Sequence, residues 1–217
     1  MREETLTQAA LRTPKAAAAA GTIFSLLLMA AFWLFRISVP PDPLEPGAWL
    51  STSANTVALA LNIVPFAGIS FLWFIGVLRD RLGRHEDRFF ATVFLGSGLL
   101  FLAMLFIFAA VVGAIILAFA GRPEEPIASA TFHFSRAVAY VIVNVYMIKI
   151  AGVFIISTST VAIYTGFAPR WIAFLGYGLA LIILLGSYYI DWSFVIFPLW
   201  VLLISTYILI DDIRSAR

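Results

Sequence analysis

Lys149 is the one ionisable side chain well inside any long apolar stretch of this 217-residue chain, and it lies in the segment 137–165. A lysine at the centre of a bilayer costs about 2.5 to 3.5 kcal/mol on insertion scales, so it usually faces a protein interior, a watery cavity or a ligand. Tyr146 shares its helical face, and Asn62 offers an amide oxygen on an earlier segment, where Pro65 leaves a backbone carbonyl without its usual donor. These four residues are a candidate site for an anion or a lipid headgroup. The interpretation that we favour is a proline kink and a lysine satisfied by backbone carbonyls, with no ligand.

Two depths of Lys149 in the bilayer are consistent with the length of its segment. At 1.5 Å per residue the segment 137–165 is about 43 Å long, which exceeds a hydrocarbon core of about 30 Å. A central register places Lys149 deep in the bilayer at the level of Asn62. A register in which the outer half of the helix projects places its amine at the headgroups, where it snorkels.

A second pattern lies in the charged segment GVLRDRLGRH, residues 76–85. Its spacing is G-x-x-x-D-R-x-G-R, carried by Gly76, Asp80, Arg81, Gly83 and Arg84. This resembles the signature loop of the major facilitator superfamily, which follows that family's second helix. The resemblance implies that Asp80 latches one conformation of a transport cycle, with Arg84 as its partner. His85 departs from the family pattern, and a solvated turn with Gly83 ending a helix explains the same residues.

Other chemistries lack the residues they need. The chain has no cysteine and two histidines, His85 and His133, which are too far apart in topology to build a metal site. No segment holds paired carboxylates, a G-x-S-x-G elbow or an axial histidine, so we expect no enzyme activity, metal or cofactor. A net charge of +2 is too small to indicate nucleic-acid binding.

The solvent around the chain, water or lipid, determines which secondary structure can hold these residues. With 62% hydrophobic and 12% charged residues, the chain has more apolar surface than a water-soluble domain of its length can bury. Backbone groups in lipid must bond within their own segment, which predicts an all-α transmembrane bundle. Six stretches are long enough to span: 18–39, 54–78, 89–120, 137–165, 171–189 and 193–210.

Basic residues predict the orientation. Ten of them fall on one side of a six-span arrangement: Arg2, Arg12, Lys15, Arg79, Arg81, Arg84, Arg88, Arg170, Arg214 and Arg217. Arg36, Arg122 and Arg136 fall on the other side, among acidic loops. The positive-inside rule therefore makes both termini cytoplasmic. The predicted organisation is a cytoplasmic segment 1–17, a transmembrane domain 18–210 and a cytoplasmic tail 211–217. Segment 1–17 is either an interfacial helix or a frayed tail, and Trp49 is expected at the outer headgroups.

The stretches 68–101 and 152–181 resemble uncharacterised bacterial multi-pass membrane proteins, which implies a bacterial plasma membrane and no mechanism. The sequence favours a non-enzymatic helix bundle that works by association, as a homo-oligomer or as an accessory subunit of a membrane complex. The alternative is a small solute or ion transporter, dimeric because six helices leave little room for two rocking halves, with its site at Lys149 and its gate at Asp80.

Overall fold

The apolar stretches are helices in the computed structural model, which describes residues 14–42, 45, 47–82, 88–121, 129–186 and 193–215. These residues contain no strand, so the predicted all-α class is confirmed. The helices are α1 (Pro14–Ser38), α2 (Trp49–Thr52), α3 (Ala54–Leu82), α4 (Arg88–Phe119), α5 (Ala130–Val141), α6 (Ile148–Thr165), α7 (Arg170–Gly186) and α8 (Ser193–Ser215). A π-helical segment, Ile142–Met147, joins α5 to α6 without a break.

Five helical stretches of the described chain are long and apolar enough to cross a membrane: α1, α3, α4, the continuous α5–α6 unit and α8. The predicted segment 171–189 forms α7, which is 17 residues long. At 1.5 Å per residue α7 measures about 26 Å, at the lower limit for a span. The structure therefore supports membrane association and leaves the sixth crossing as a prediction.

Several helix boundaries differ from the predicted ones. The fourth stretch begins at Ala130 rather than 137, because the Ser129 side chain caps the helix by accepting the backbone N–H of Phe132 at 3.3 Å. α3 continues to Leu82, and α8 continues to Ser215 into the predicted tail. α1 begins at Pro14, and the predicted interfacial segment before it lies outside the described residues.

The π-helical segment changes which residues share a face. Its wider turn is closed by a bond from the N–H of Ile148 to the carbonyl of Val143, five residues earlier. The faces of α5 and α6 are therefore not continued by one helical wheel at 100° per residue. Tyr146, inside the π-helical segment, and Lys149, just after it, lie on the exposed surface. Thr160, further along α6, is buried, and its hydroxyl lies 2.8 Å from that of Tyr177 on α7.

α6 is the interior helix of the bundle. α1 packs against α3 and α8, α4 joins α3 to the α5–α6 unit, and α6 contacts α4, α7 and α8. The buried run Ser157–Thr160 is accommodated in the apolar interior because three of its hydroxyls donate to carbonyls one turn earlier, at 2.7–2.9 Å. This polar stretch therefore lies among the other helices rather than against the surroundings of the bundle.

Seven phenylalanine rings fill the centre of the bundle. They come from five different helices: Phe24, Phe71, Phe74, Phe94, Phe101, Phe154 and Phe197. Phe71 is the hub, with ring centroids 4.4 Å from Phe24, 5.3 Å from Phe154 and 5.6 Å from both Phe101 and Phe197. Such aromatic pairs contribute about 0.5–1.5 kcal/mol beyond area burial, so this cluster fixes the relative positions of α1, α3, α4, α6 and α8.

Two glycines allow close approach around this centre. A Cβ at Gly176 of α7 would lie 2.6 Å from Trp200 Cη2 and would overlap Ser159 Oγ. A Cβ at Gly21 of α1 would lie 2.7 Å from Phe74 Cδ2 and would overlap Ser205 Oγ. Small residues at such contacts are the usual means of packing helices in lipid, where apolar surface alone does not drive helices together.

Phe71→Ala should lower the free energy of unfolding by about 3 kcal/mol, because it removes the hub ring and leaves a cavity among four helices. This is the lower end of the range for a buried phenylalanine, since the unfolded chain remains in lipid. Phe66→Ala on the same helix is the matched control. Phe66 is 64% exposed, so a change within about 0.5 kcal/mol is expected there. Reversible unfolding in mixed micelles measures both, and equal losses would contradict the packing described.

Candidate functional site

A cavity of about 320 Å³ lies at the end of the bundle where α1 terminates. Its walls are the last turns of α1, the chain at Pro40 and Pro41, Trp49, one face of α4, the α5–π unit and Phe194 at the start of α8. Four of the lining residues are polar: Arg36, Arg136, Tyr140 and Asn144. The volume lies at the lower end of the range for small-molecule sites in proteins.

Arg136 connects two distant parts of the chain at this cavity. Its side chain, 7% exposed, donates from Nη1 to the carbonyl of Glu45 at 3.1 Å and from Nη2 to the carbonyls of Pro40 and Asp42 at 3.0 Å each. Burial of a guanidinium is tolerated only when its donors are satisfied. Arg136 therefore holds the segment between α1 and α2 against α5, and closes the cavity at that side.

Trp49 lines the same cavity from the short helix α2. It is 4% exposed, and its Nε1–H donates to no acceptor among the described residues. Trp49 packs with Leu50, Val57 and Phe132 in a second apolar cluster, and its predicted level at the outer headgroups stays a prediction. An indole N–H is a donor only, so this enclosed Nε1–H leaves one hydrogen bond unused among the described residues.

The cavity ends at the phenylalanine cluster. Phe32, Val143 and Phe194 form part of its wall and also line a second void of about 10 Å³, whose other walls include Phe101 and Phe197. A void of that size holds one water molecule at most. The large cavity is therefore open towards one end of the bundle, and aromatic rings close it on the other side.

Lys149 lies outside the lining of this cavity. Its Nζ donates to the carbonyl of Leu184 at 2.6 Å, and the side chain is otherwise exposed on the bundle surface. Leu184 is two residues from the end of α7, where helix carbonyls lack an intrahelical donor. Lys149 therefore acts as a C-terminal cap for α7, which is the carbonyl-satisfied alternative considered for this residue. Tyr146 is 57% exposed one turn away.

The other members of the predicted binding cluster are on a different part of the surface. Asn62 is exposed on α3 and donates from Nδ2 to the carbonyl of Ala58 on its own helix at 2.9 Å. Pro65 is exposed on the same helix. Among the hydrogen bonds of the described chain, none joins Asn62 to Lys149 or Tyr146. A similar predicted depth on two helices therefore did not lead to a hydrogen-bonded cluster of these side chains.

The motif that resembles the facilitator loop is only partly described. Gly76, Asp80 and Arg81 belong to the last turns of α3 rather than to a loop. Gly76 is exposed, and a Cβ there would meet nothing within 4 Å. Gly83 and Arg84 lie outside the described residues, so the predicted pairing of Asp80 with Arg84 remains a prediction.

The sequence reasoning missed Arg136 and Trp49 as site residues. The sequence does contain a signal for Arg136. In the predicted topology it is one of the few basic residues on the outer side, where the loop with Asp42 and Glu45 also lies. Arg136 was counted only for orientation. Its partners are backbone carbonyls 91 to 96 residues away, and a carbonyl has no signature in the sequence.

Arg136→Gln should lower the free energy of unfolding by at least about 2 kcal/mol, because bonds from a charged donor to buried carbonyls are lost. Hydrogen exchange should rise at the backbone amides of residues 45 and 47–50, which this side chain holds in place. Arg79→Gln, at an exposed position on α3, is the control and should change neither quantity. Exchange measured by mass spectrometry tests this; unchanged protection in the Arg136 variant would exclude the clamp.

No protein-family model, curated protein or solved structure matches the chain. The two resemblances noted in the sequence stay predictions, and the function has to follow from the chain's own geometry.

Proposed function

We propose that this chain is a non-enzymatic integral membrane bundle of six crossings that acts by associating with further copies of itself. The observation that carries this proposal is the exposed face of α4, the least buried of the five long apolar helices. Four small residues recur on that face, at Gly96, Ala103, Ala110 and Ala114, and all four are exposed. Spacings of seven and four residues place them along one side of the helix.

This face suits a second helix better than it suits packing within the chain. A Cβ at Gly96 would meet nothing within 4 Å, whereas Gly98 on the opposite side packs against Phe154 and Ile75. In lipid, helices associate by close van der Waals contact through small residues. The larger exposed residues beside them, Leu99, Leu100 and Ile107, would interdigitate with the partner.

The crossing pattern is supported by how the helix ends meet. Gly21 near the start of α1 packs beside Ser205 in the second half of α8 and Phe74 in the second half of α3. The helix ends that carry Arg79 and Arg214 therefore lie together. Arg36 and Arg136 are at the opposite end, around the cavity. This supports a cytoplasmic face at Arg79 and Arg214 and an outer face at the cavity. The membrane that we propose is a bacterial plasma membrane, on the resemblance of residues 68–101 and 152–181.

The position of its acceptor along α7 favours the register in which Lys149 lies towards the outer headgroups. Its acceptor, Leu184, is 14 residues along α7 from Arg170, or about 21 Å from the proposed cytoplasmic boundary. That is two-thirds of a hydrocarbon core of about 30 Å. We do not propose transport through Lys149, because it lies outside the cavity lining and its amine caps α7.

Catalysis also finds little support in the cavity. Its four polar lining side chains, those of Arg36, Arg136, Tyr140 and Asn144, include no carboxylate or imidazole that could serve as a base. Arginine keeps its proton in proteins, and an asparagine amide is neither an acid nor a base near neutral pH.

The crossing number can be tested with single cysteines, because the native chain contains none. Ser51→Cys, at an exposed position on α2, should react with a membrane-impermeant maleimide in intact cells. Arg214→Cys, exposed near the end of α8, should react only after permeabilisation. Reaction of Arg214→Cys in intact cells would mean that α7 does not cross, and protection of Ser51→Cys would reverse the orientation.

Association through α4 can be tested with a bulky residue in the middle of its small-residue face. Ala103→Phe should shift the oligomer towards the monomer by at least about tenfold in association constant, because it separates the two backbones. Ala30→Phe, on the exposed surface of α1, is the matched control and should leave association unchanged. Analytical ultracentrifugation in detergent measures both. A monomeric native chain, or equal behaviour of both variants, would contradict the proposal.

A further inference from the structure

The start of α8 forms the inner end of the large cavity. The ring of Phe194, the second residue of α8, lies 5.3 Å from the ring of Phe32 on α1. α1 continues for six residues beyond Phe32, to Ser38. The cavity of about 320 Å³ therefore has the phenylalanine contact as its floor, and α1, α4 and the α5–π unit as its walls.

The cavity has the length and width of one hydrocarbon chain. On the α1 side its lining runs from Phe32 to Val39, and on the α5–π side from Arg136 to Val145. These stretches measure about 10 to 14 Å at 1.5 Å per residue. A volume of about 320 Å³ spread over that length has a mean width of about 6 Å. Carbon atoms in contact lie about 3.5–4.0 Å apart, so one chain of methylene groups fits and two side by side do not.

The walls of the cavity are apolar along most of this length. Thirteen of the seventeen described residues that line it are apolar, including Phe35, Phe108 and Val112. Water gains few hydrogen bonds on such walls, and unfilled space forfeits the van der Waals contacts of the atoms around it. A hydrocarbon chain would supply those contacts.

One side of the cavity opens onto the surface of an apolar helix. Tyr140 and Val145 line the cavity and are 39% and 40% exposed. Val141 and Tyr146, the residues that follow them, lie outside the lining and are 40% and 57% exposed. The wall therefore continues onto the outer surface of Ala130–Thr165, a stretch long and apolar enough to cross a membrane. The medium around such a stretch in a bilayer is lipid hydrocarbon.

The helix at this opening is irregular. The π-helical segment Ile142–Met147 supplies three consecutive residues of the lining, Val143, Asn144 and Val145. Single π-helical turns inside long helices occur frequently at functional sites. The one π-helical turn of the described chain thus lies at the wall through which the cavity meets the surface.

We propose that this cavity takes up one acyl chain of a bilayer phospholipid, which enters past Tyr140 and Val145 and lies with its end towards Phe32. The hydrocarbon of one leaflet is about 15 Å thick, half of a core of about 30 Å. A chain lying along the cavity therefore keeps its headgroup at the end of the bundle where α1 terminates. The inference requires the bundle to lie in a bilayer and is independent of self-association through α4, which uses a different surface.

The test maps contact with the end of an acyl chain. The native chain is reconstituted in phosphatidylcholine vesicles that contain a photoreactive analogue with a diazirine near the end of one acyl chain, and labelled residues are identified by mass spectrometry. Phe32 and Val112 are diagnostic, because each is 7% exposed and lines the cavity. Phe66 and Ile69 of α3, 64% and 54% exposed and outside the lining, report contact with the bilayer. We expect labelling at all four positions.

The native chain alone can overturn the proposal. Labelling at Phe66 and Ile69 without labelling at Phe32 or Val112 would show a bundle in lipid whose cavity holds no acyl chain. That result would leave the proposed membrane bundle intact. Labelling at none of the four positions would contradict both the acyl-chain site and the membrane location.

A cavity-filling variant tests the route of the chain. Ala139→Phe places a ring in a passage wide enough for one chain, since Ala139 lines the cavity. Labelling of Val112 relative to Phe66 should fall by at least about tenfold. Ala137→Phe, on the same helix at an exposed position outside the lining, is the matched control and should leave this ratio unchanged. An unchanged ratio in folded Ala139→Phe would overturn the proposal.

Discussion

The contact on which this bundle depends is the packing of phenylalanine rings around Phe71. In lipid, apolar side chains gain nothing from leaving their solvent, so helices are held by shape and close contact. Phe71 of α3 meets rings from α1, α4, α6 and α8 at centroid distances of 4.4–5.6 Å. A single side chain thus sets the spacing of four neighbouring helices. The same rings fill the centre of the bundle, and the 320 Å³ cavity of the described residues lies at one end.

Polar contacts complete the structure where this packing stops. α7 ends at Gly186, and Lys149 from the longer α6 supplies a donor to one of its last carbonyls. At the cavity, Arg136 supplies donors to three carbonyls of the segment that follows α1. Both cations act on backbone acceptors that the bundle's regular helices leave unpaired. Lys149 and Arg136 therefore have the same structural role at two positions along the bundle. Arg136 also lines the cavity.

The helical segments could be predicted because the thickness of a bilayer sets a minimum length for an apolar run. α1, α3, α4 and α8 were predicted to within a few residues at most of their ends for this reason. The start of α5 was missed, since a serine cap at Ser129 extends a helix beyond its apolar run. The pairing of Asn62 with Lys149 did not follow from similar depth, because depth says nothing about rotation around a helix axis. The π-helical segment was also invisible in the periodicity, although it shifts the face of α6 relative to that of α5.

Four side chains have buried polar atoms without a partner among the described residues. The groups packed against each atom explain why its hydrogen bond is unused. Ser159 Oγ faces Gly176 and Ser205 Oγ faces Gly21, so each hydroxyl fills the space left by a glycine. Trp200 also packs on Gly176, with ring atoms where a Cβ would be. These three are consequences of close packing, in which the gain in contact offsets an unused hydrogen bond. Trp49 packs with Leu50, Val57 and Phe132 in the second apolar cluster. Its Nε1 is as enclosed as the other three atoms, so the gain in contact offsets its unused hydrogen bond in the same way.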